Sequence, residues 1–174
     1  MKVFGIFGSP RRGGNTELLL EEALKGAEKE GAKVECLYLS DFTITPCKEC
    51  HGCDDTGNCI ILDEMEKVYP KLLEADVVIL SSPIFFYGVT AWAKALIDRS
   101  QALWARKYLL KDPSLGKEGK KEKRERVSLS LWERQKDRKF LKGPFSRSSI
   151  FLMSSTQNMW ANWSSEVWRL RAIF

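Results

Sequence analysis

Three short apolar runs set the pattern of the N-terminal part of the chain, and each is followed by a polar loop and a segment with helical spacing. The runs are Lys2–Phe7, Val34–Leu39 and Val77–Leu80. Short apolar runs bounded by turn residues are typical of strands buried on both faces of a parallel sheet. The pattern predicts three βα units of a doubly wound α/β sheet, in which ligands bind at the carboxyl ends of the strands.

The helices of these units are indicated by spacing and by end signals. Leu20, Leu24 and Ala27 recur on one face after the first run, and Gly31 is placed to end that helix. Asp63 is a predicted N-cap for the next helix, and Pro70 marks either a kink or a late start. The third helix is predicted from the helical spacing of Trp92, Leu96, Ser100 and Leu103.

The first polar loop, GSPRRGGNT at Gly8–Thr16, joins the first strand to a helix N-terminus. Backbone N–H groups and the helix dipole hold anions at such a position. Ser9, Asn15 and Thr16 add side-chain donors, and Arg11 adds positive charge. The loop has neither the GK[ST] of a P-loop nor GxGxxG, so the phosphate of a mononucleotide is favoured. A polar turn with a helix cap at Asn15 or Thr16 remains the structural alternative.

Four of the five cysteines lie close together, with spacings x2, x2 and x5. They are Cys47, Cys50, Cys53 and Cys59. This spacing resembles the runs that ligate iron-sulfur clusters, because a cluster needs several thiolates from one short, turning segment. The fifth, Cys36, lies in an apolar run and is predicted to be an ordinary buried residue.

Other chemistries of the cysteine run stay open at this point. A zinc knuckle would draw in His51, although structural zinc sites usually pair two separated CxxC hooks. A redox-active CxxC dithiol would use two cysteines and leave two unexplained. Structural disulfides need an oxidising compartment, and the N-terminus does not read as a secretory signal.

The loop Ser81–Gly88 follows the third run and is rich in aromatic residues. Phe85, Phe86 and Tyr87 could flank a planar ring, or they could cover the edge of the core. The sequence does not decide between these two interpretations.

Length and charge narrow the class of protein. A chain of 174 residues is long enough for one domain with a sizeable core. No apolar run approaches the ~20 residues needed to cross a bilayer, so we expect a cytoplasmic protein without a membrane partner. The net charge of +5 is concentrated near Lys117–Arg126. That tract has no stacking residues, so no nucleic-acid partner is expected.

Taken together, three motifs resemble the iron-sulfur flavoproteins of the NADPH-dependent FMN reductase-like group, which are flavodoxin-like. The motifs are GSPRRGGNT, the cysteine run and SSPIFFYGVTAWAKALIDR, within residues 1–105. The resemblance implies FMN and one 4Fe-4S cluster. The implied FMN ligands are Ser9, Arg11, Asn15 and Thr16 at the phosphate and Pro83, Ile84, Phe85, Tyr87 and Gly88 at the isoalloxazine, and the implied cluster ligands are Cys47, Cys50, Cys53 and Cys59.

The implied function is that of a flavin-dependent oxidoreductase or electron-transfer protein. Flavin accepts electrons singly or in pairs and a 4Fe-4S cluster passes one at a time, so the two together couple different carriers. No catalytic base is predicted. The implied partners are a ferredoxin-like protein or NAD(P)H, and a homodimer or homotetramer is expected. The alternatives are an NAD(P)H-dependent FMN or quinone reductase without a cluster, and a non-enzymatic zinc-binding interaction module.

The C-terminal part of the chain departs from this pattern. We divide the chain into a flavodoxin-like core at 1–110 with the cysteine loop at 46–60, a charged linker at 111–126 and an atypical tail at 127–174. The tail is rich in Ser and Trp and shows no clean strand pattern, although a flavodoxin-like sheet needs two further βα units. A basic tail or an amphipathic partner surface is the ordinary interpretation.

A change of reading frame is the sharper hypothesis for this segment. Possible codons from Arg126 onward, read in a shifted frame, permit a peptide with a strand, a turn and a helix that resembles the family's C-terminal segment. If the hypothesis holds, we expect a weakly packed tail, an exposed strand edge and impaired FMN binding.

Overall fold

The elements of the chain alternate between strands and helices up to residue 112. The computed structural model describes residues 1–112 together with the backbone of 126–132 and 150–154. The strands are β1 (Lys2–Phe7), β2 (Lys33–Tyr38), β3 (Val77–Pro83), β4 (Arg126–Trp132) and β5 (Ile150–Ser154). The helices are α1 (Asn15–Lys29), α2 (Gly52–Thr56), α3 (Tyr69–Glu74), α4 (Ala91–Arg99) and α5 (Gln101–Trp104), with short 3₁₀ turns at Leu39–Asp41 and Glu64–Lys67 and a π-helical turn at Ala105–Leu109.

The strands form one sheet in the order β2-β1-β3-β4-β5. β1 lies between β2 and β3 and is parallel to both, with Val3 opposite Val34 on one side and Val77 on the other. β4 continues the parallel part beside β3, and β5 is antiparallel to β4. The order of the first four strands is that of a flavodoxin-like sheet, so the predicted doubly wound α/β fold is confirmed.

The core lies on both faces of β1, because alternate side chains of a strand point to opposite faces. Val3 and Phe7 pack with Leu20, Leu24 and Ala27, which all belong to α1. On the other face, Phe4 and Ile6 belong to a cluster that also contains Leu37, Leu39, Met65, Val68, Leu80, Ala93 and Leu96. The predicted buried face of α1 is therefore confirmed.

Several local predictions need correction. Cys36 is exposed, because β2 is an edge strand whose side chains are only partly covered. The N-cap of α1 is Gly14 and makes no side-chain cap hydrogen bond, so neither Asn15 nor Thr16 is the cap. Trp92 is 39% exposed, since the fully buried side of α4 is formed by Ala93, Ala95, Leu96 and Arg99.

The predictions for Asp63 as a cap and for Pro70 near the start of a helix are confirmed. The Asp63 side chain accepts a hydrogen bond from the Met65 N–H at the start of the 3₁₀ turn. α3 begins after that turn and has proline in its first turn, so Pro70 marks a late helix start rather than a kink.

The outer part of the sheet corrects the expectation for the segment after Arg126. That expectation was of no clean strand, whereas Arg126–Trp132 pairs in parallel with β3 along the whole of that strand. The antiparallel β5 has no counterpart in the purely parallel sheet that was expected. The predicted linker at 111–126 and the predicted weak packing of the tail fall largely on residues outside the described ranges. Among the residues that the structure describes, none of the helices combines the length and the apolar composition that crossing a membrane requires.

Candidate functional site

The two loops predicted to share a ligand are joined directly where β1 and β3 end. The Gly8 N–H donates to the Ser81 carbonyl at 2.6 Å, and the Ser81 hydroxyl donates to the Thr16 carbonyl at 2.6 Å. The Thr90 hydroxyl donates to the Gly8 carbonyl, also at 2.6 Å. A Cβ on Gly8 would lie 2.8 Å from the Ser81 carbonyl oxygen, so this close approach requires glycine. The loops after β1 and β3 therefore form one rim.

The first loop is shaped by its own polar contacts. The Ser9 hydroxyl accepts a hydrogen bond from the Arg11 N–H at 3.1 Å. The carboxylate of Glu17, in the first turn of α1, accepts from the Gly13 N–H at 2.6 Å and from the Tyr38 hydroxyl at 2.8 Å. The sequence analysis missed Glu17, and its only signal was an acidic residue in the first turn of a helix. The loop is thus fixed before any ligand binds.

The two neighbouring arginines of this loop differ in their side-chain partners. The Arg12 guanidinium lies 3.3 Å from the centroid of the Tyr38 ring and donates two 2.6 Å hydrogen bonds to Asp41. The hydrogen bond between them raises the pKa of Arg12 and lowers the pKa of Asp41. The Arg11 side chain is exposed and makes no hydrogen bond or ion pair with the described residues. Arg11 is therefore the cation available to an anion at the N-terminus of α1.

The implied phosphate ligands lie together around this loop. Ser9 and Thr16 are buried, at 8% and 4% exposure, and Asn15 is exposed at the first position of α1. α1 is a long helix, so its first N–H groups and its dipole add to the attraction for an anion.

The aromatic loop, Ile84–Val89, makes a tight turn with its rings outward. The N–H groups of Phe85 and Gly88 donate to each other's carbonyls at 2.8 and 3.0 Å. Phe86 and Tyr87 have positive φ angles of 40° and 65°, which bulky residues rarely adopt. Phe86 is 97% exposed and Tyr87 is 69% exposed. These rings do not cover the core, so the predicted alternative of an edge cover is not what the structure shows.

The four clustered cysteines line one cavity of about 570 Å³. Its other walls include Ile97 and Arg99 of α4, and Gln101 and Ala102 of α5. The short helix α2 turns the chain around the cavity, with positive φ angles at His51 before it and at Gly57 after it. No group of three or more His, Cys, Asp or Glu side chains within the described residues is arranged as a metal site. The structure therefore brings the four cysteines to one cavity without showing metal-binding geometry.

Charges around the cavity are mixed. Burial raises the pKa of the Cys53 thiol, and the charge of Asp54 and the nearby Cys59 and Cys47 add to the rise. His51 Nδ1 lies 2.9 Å from an Asp54 oxygen, and this hydrogen bond raises the pKa of His51. His51 is thus paired with Asp54 at one ring nitrogen.

A buried ion pair joins the two ends of the cysteine loop at Thr45 and Ile61. We call this junction the neck of the loop. Arg99 is 1% exposed and contacts Asp63 at 2.8 Å. Its two Nη atoms also donate to the carbonyls of Thr45 and Ile61, each at 2.9 Å. The chain before Cys47 and the chain after Cys59 therefore meet on one guanidinium.

Asp63 completes this neck from the other side. Its oxygens accept from the Thr45 N–H at 2.8 Å and from the Met65 N–H at 3.0 Å. Burial acts to raise the pKa of Asp63, but the hydrogen bonds from Arg99, Thr45 and Met65 outweigh burial and lower it to about 2. The sequence analysis identified Asp63 only as a helix cap and missed Arg99 and Thr45.

The cysteine cavity and the aromatic loop lie at opposite ends of α4. Thr90 caps α4 beside the aromatic loop, and Arg99 ends it at the cavity. The helix has 9 residues, so it separates the two ends by ~13 Å at ~1.5 Å per residue. The cysteine cavity therefore lies about one length of α4 from the aromatic loop. The contacts of Arg99 with Thr45, Ile61 and Asp63 hold the cysteine run at the C-terminal end of α4.

These features define a flavodoxin-like protein with joined loops after β1 and β3 and a cavity lined by four cysteines. Residues 1–113 match the family model for NADPH-dependent FMN reductase, and the chain belongs to this family. The predicted relationship is therefore confirmed.

Relatives and a solved structure extend this result. An iron-sulfur flavoprotein of Methanocaldococcus jannaschii is 47% identical over 103 residues, which are 59% of this chain and 53% of the relative. An iron-sulfur flavoprotein of Methanosarcina thermophila is 38% identical over 112 residues, covering 64% of this chain and 59% of the relative. The chain thus spans about half the length of the curated relatives it matches.

The solved NAD(P)H:quinone oxidoreductase of Methanothermobacter marburgensis has a TM-score of 0.51 at 15% identity. The alignment covers 76% of this chain and 86% of that chain. At this identity the likeness shows the shared fold.

Proposed function

We propose that this protein is an FMN-dependent oxidoreductase that couples its flavin to a 4Fe-4S cluster. The observation that carries the proposal is the gathering of four cysteines at one cavity, connected by a single helix to the rim formed by the loops after β1 and β3. The family and the iron-sulfur flavoprotein names of the relatives support it.

The rim residues fit an FMN. Arg11 supplies a free positive charge and α1 supplies N–H groups for the phosphate, while the outward aromatic loop offers flat surfaces for the ring. The residues proposed to hold FMN are Ser9, Arg11, Asn15 and Thr16 at the phosphate and Pro83, Ile84, Phe85, Tyr87 and Gly88 at the isoalloxazine.

The four cysteines supply the donor set of a four-thiolate cluster. Cys47, Cys50, Cys53 and Cys59 provide one sulfur for each iron of a cubane, and they come from one short turning segment. Asp54 is already paired with His51, which leaves the four thiols as the matched donor set.

When bound, FMN would exchange one or two electrons and the cluster one electron at a time. The residues of the chain bind and orient these groups. α4 sets their separation, the Arg99–Asp63 pair holds the cysteine loop, and no side chain is assigned to proton transfer. The proposed electron donor is NAD(P)H or a ferredoxin-like protein, and the proposed assembly is a homodimer or homotetramer.

Anaerobic purification of the full chain tests the proposal. We expect one FMN and about four irons per chain. Cys53→Ser should lose the iron and retain FMN, whereas Cys36→Ser, an exposed cysteine outside the run, should retain both.

Two other results would contradict the proposal. A yellow, iron-free protein with FMN would favour an NAD(P)H-dependent FMN or quinone reductase without a cluster, which the family description also fits. Zinc without flavin would favour a non-enzymatic zinc-binding interaction module.

A further inference from the structure

We propose that Arg99 and Asp63 set the reduction potential of the cluster in opposite directions, Arg99 raising it and Asp63 lowering it. The inference rests on the proposed function, since it needs a cluster on the four cysteines. Arg99 and Asp63 are not ligands in this proposal. They act on the cluster through their charge.

One of the three guanidinium nitrogens of Arg99, Nε, has no hydrogen-bond acceptor among the described residues. Both Nη atoms of Arg99 are engaged with Asp63 and with the backbone carbonyls of the neck. The Nε atom is buried and has no hydrogen-bond partner among the described residues. Leaving a buried donor unpaired is unfavourable, and such a group in a native structure calls for an explanation. Arg99 lines the same cavity as the four cysteines, so its buried charge lies beside the proposed cluster.

The charges of Arg99 and Asp63 are the reason to expect an effect on the cluster. The Arg99 side chain is completely buried and that of Asp63 is 10% exposed, so solvent screens their charges weakly. Burial acts to lower the pKa of Arg99, but Asp63, Tyr69 and the nearby Cys59 outweigh burial and raise it. The guanidinium therefore stays charged beside a predicted cluster ligand.

The direction of each effect follows from the electron count. Reduction adds one negative charge to the cluster, so a fixed cation nearby favours the reduced state and a fixed anion disfavours it. Cluster potentials respond to net charge and to hydrogen bonds at the sulfurs. Arg99 contributes a cation, and Asp63 contributes an anion.

A purely structural role makes a different prediction. If the pair only clamped the neck, removing either partner would loosen the cysteine loop and lower cluster occupancy. The potential of the molecules that keep a cluster would then shift in the same direction for both variants, or would not shift.

The experiment compares potentials in the full chain after anaerobic reconstitution with iron and sulfide. The variants are Arg99→Gln, Arg99→Lys and Asp63→Asn, and the potential is followed by the electron paramagnetic resonance signal of the reduced cluster. Arg99→Gln should disfavour reduction at least tenfold, which is 59 mV for one electron. Arg99→Lys, which keeps the charge, should recover most of that shift. Asp63→Asn should favour reduction several-fold.

Lys25→Gln is the matched control, because Lys25 is an exposed cation on α1 that is paired with Glu22, and neither residue lines the cysteine cavity. Its potential should match that of the wild type within twofold in the equilibrium constant.

Failure of the inference and failure of the proposed function give different results. A loaded wild type whose potential is unchanged by Asp63→Asn and Arg99→Gln overturns the inference alone. A wild-type chain that takes up no cluster overturns the proposed function, and the inference with it. If Arg99→Gln does not fold, Asp63→Asn decides, because it keeps Arg99. A raised potential supports the inference and any other result overturns it.

Discussion

The Asp63 carboxylate should make the protein sensitive to acid, and Asp63→Asn should remove that sensitivity. Its pKa is lowered from 3.8 to about 2 in the folded chain, because the hydrogen bonds from Arg99, Thr45 and Met65 outweigh the effect of burial. A carboxylate whose folded pKa lies below its unfolded pKa stabilises the fold fully above the unfolded value. The stabilisation is then lost as the pH falls through the folded value.

The size of the effect follows from the difference between the two pKa values. One pKa unit corresponds to about 1.4 kcal/mol, so the ionised carboxylate contributes roughly 2 kcal/mol at pH 5 and above. Most of this, on the order of 2 kcal/mol, should disappear between pH 5 and pH 2. At pH 7 the variant should be about 3–5 kcal/mol less stable than the wild type, because Arg99 is left buried without its partner.

Urea unfolding at a series of pH values between 2 and 7 measures these quantities. The difference in unfolding free energy between the wild type and Asp63→Asn should narrow by roughly 2 kcal/mol from pH 5 to pH 2. Asp41→Asn is the matched control, since Asp41 forms an exposed ion pair with Arg12, and it should show no comparable narrowing. A constant difference across the pH range for Asp63→Asn would refute the reasoning.

Three further predictions concern the rim and the C-terminal part of the chain. Gly8→Ala should destabilise the protein by about 1–3 kcal/mol, because the added Cβ meets the Ser81 carbonyl, and an unchanged melting temperature would contradict this. Arg11→Gln should weaken FMN binding about tenfold and leave riboflavin binding unchanged, since riboflavin has no phosphate. Arg12→Gln should weaken FMN binding less, because Arg12 is held by Asp41, and equal losses would contradict the assignment of Arg11. The nucleotide sequence should read from Arg126 as an uninterrupted family-like peptide in a shifted frame, and an early stop codon there would end that hypothesis.

The sequence predicted the features that depend on local pattern. The apolar run of β1, the helical spacing of Leu20 and Leu24, and the Asp63 cap all have signals within a few residues. The order of loops and strands then placed the two loops on one rim, which the hydrogen bonds of Gly8 and Ser81 confirm. These features need no knowledge of distant contacts.

The features that the sequence did not predict depend on distant contacts or on exposure. The Arg99 side chain meets Thr45 and Ile61, which are far from it along the chain, and an arginine in a helix gives no sign of such partners. Cys36 was expected to be buried because its run is apolar, but burial depends on the position of β2 at the sheet edge.

The neck contacts have a consequence for how the cysteine loop relates to the rest of the protein. Thr45 and Ile61 are held together by α4 and Asp63, so the path between them does not have to bridge or support the sheet. Residues 46–60 thus form a loop whose two ends are joined by side-chain contacts, and α2 within it packs against the turn at Ala105–Leu109. Loss of the Arg99–Asp63 ion pair is therefore expected to release both ends of the loop at once.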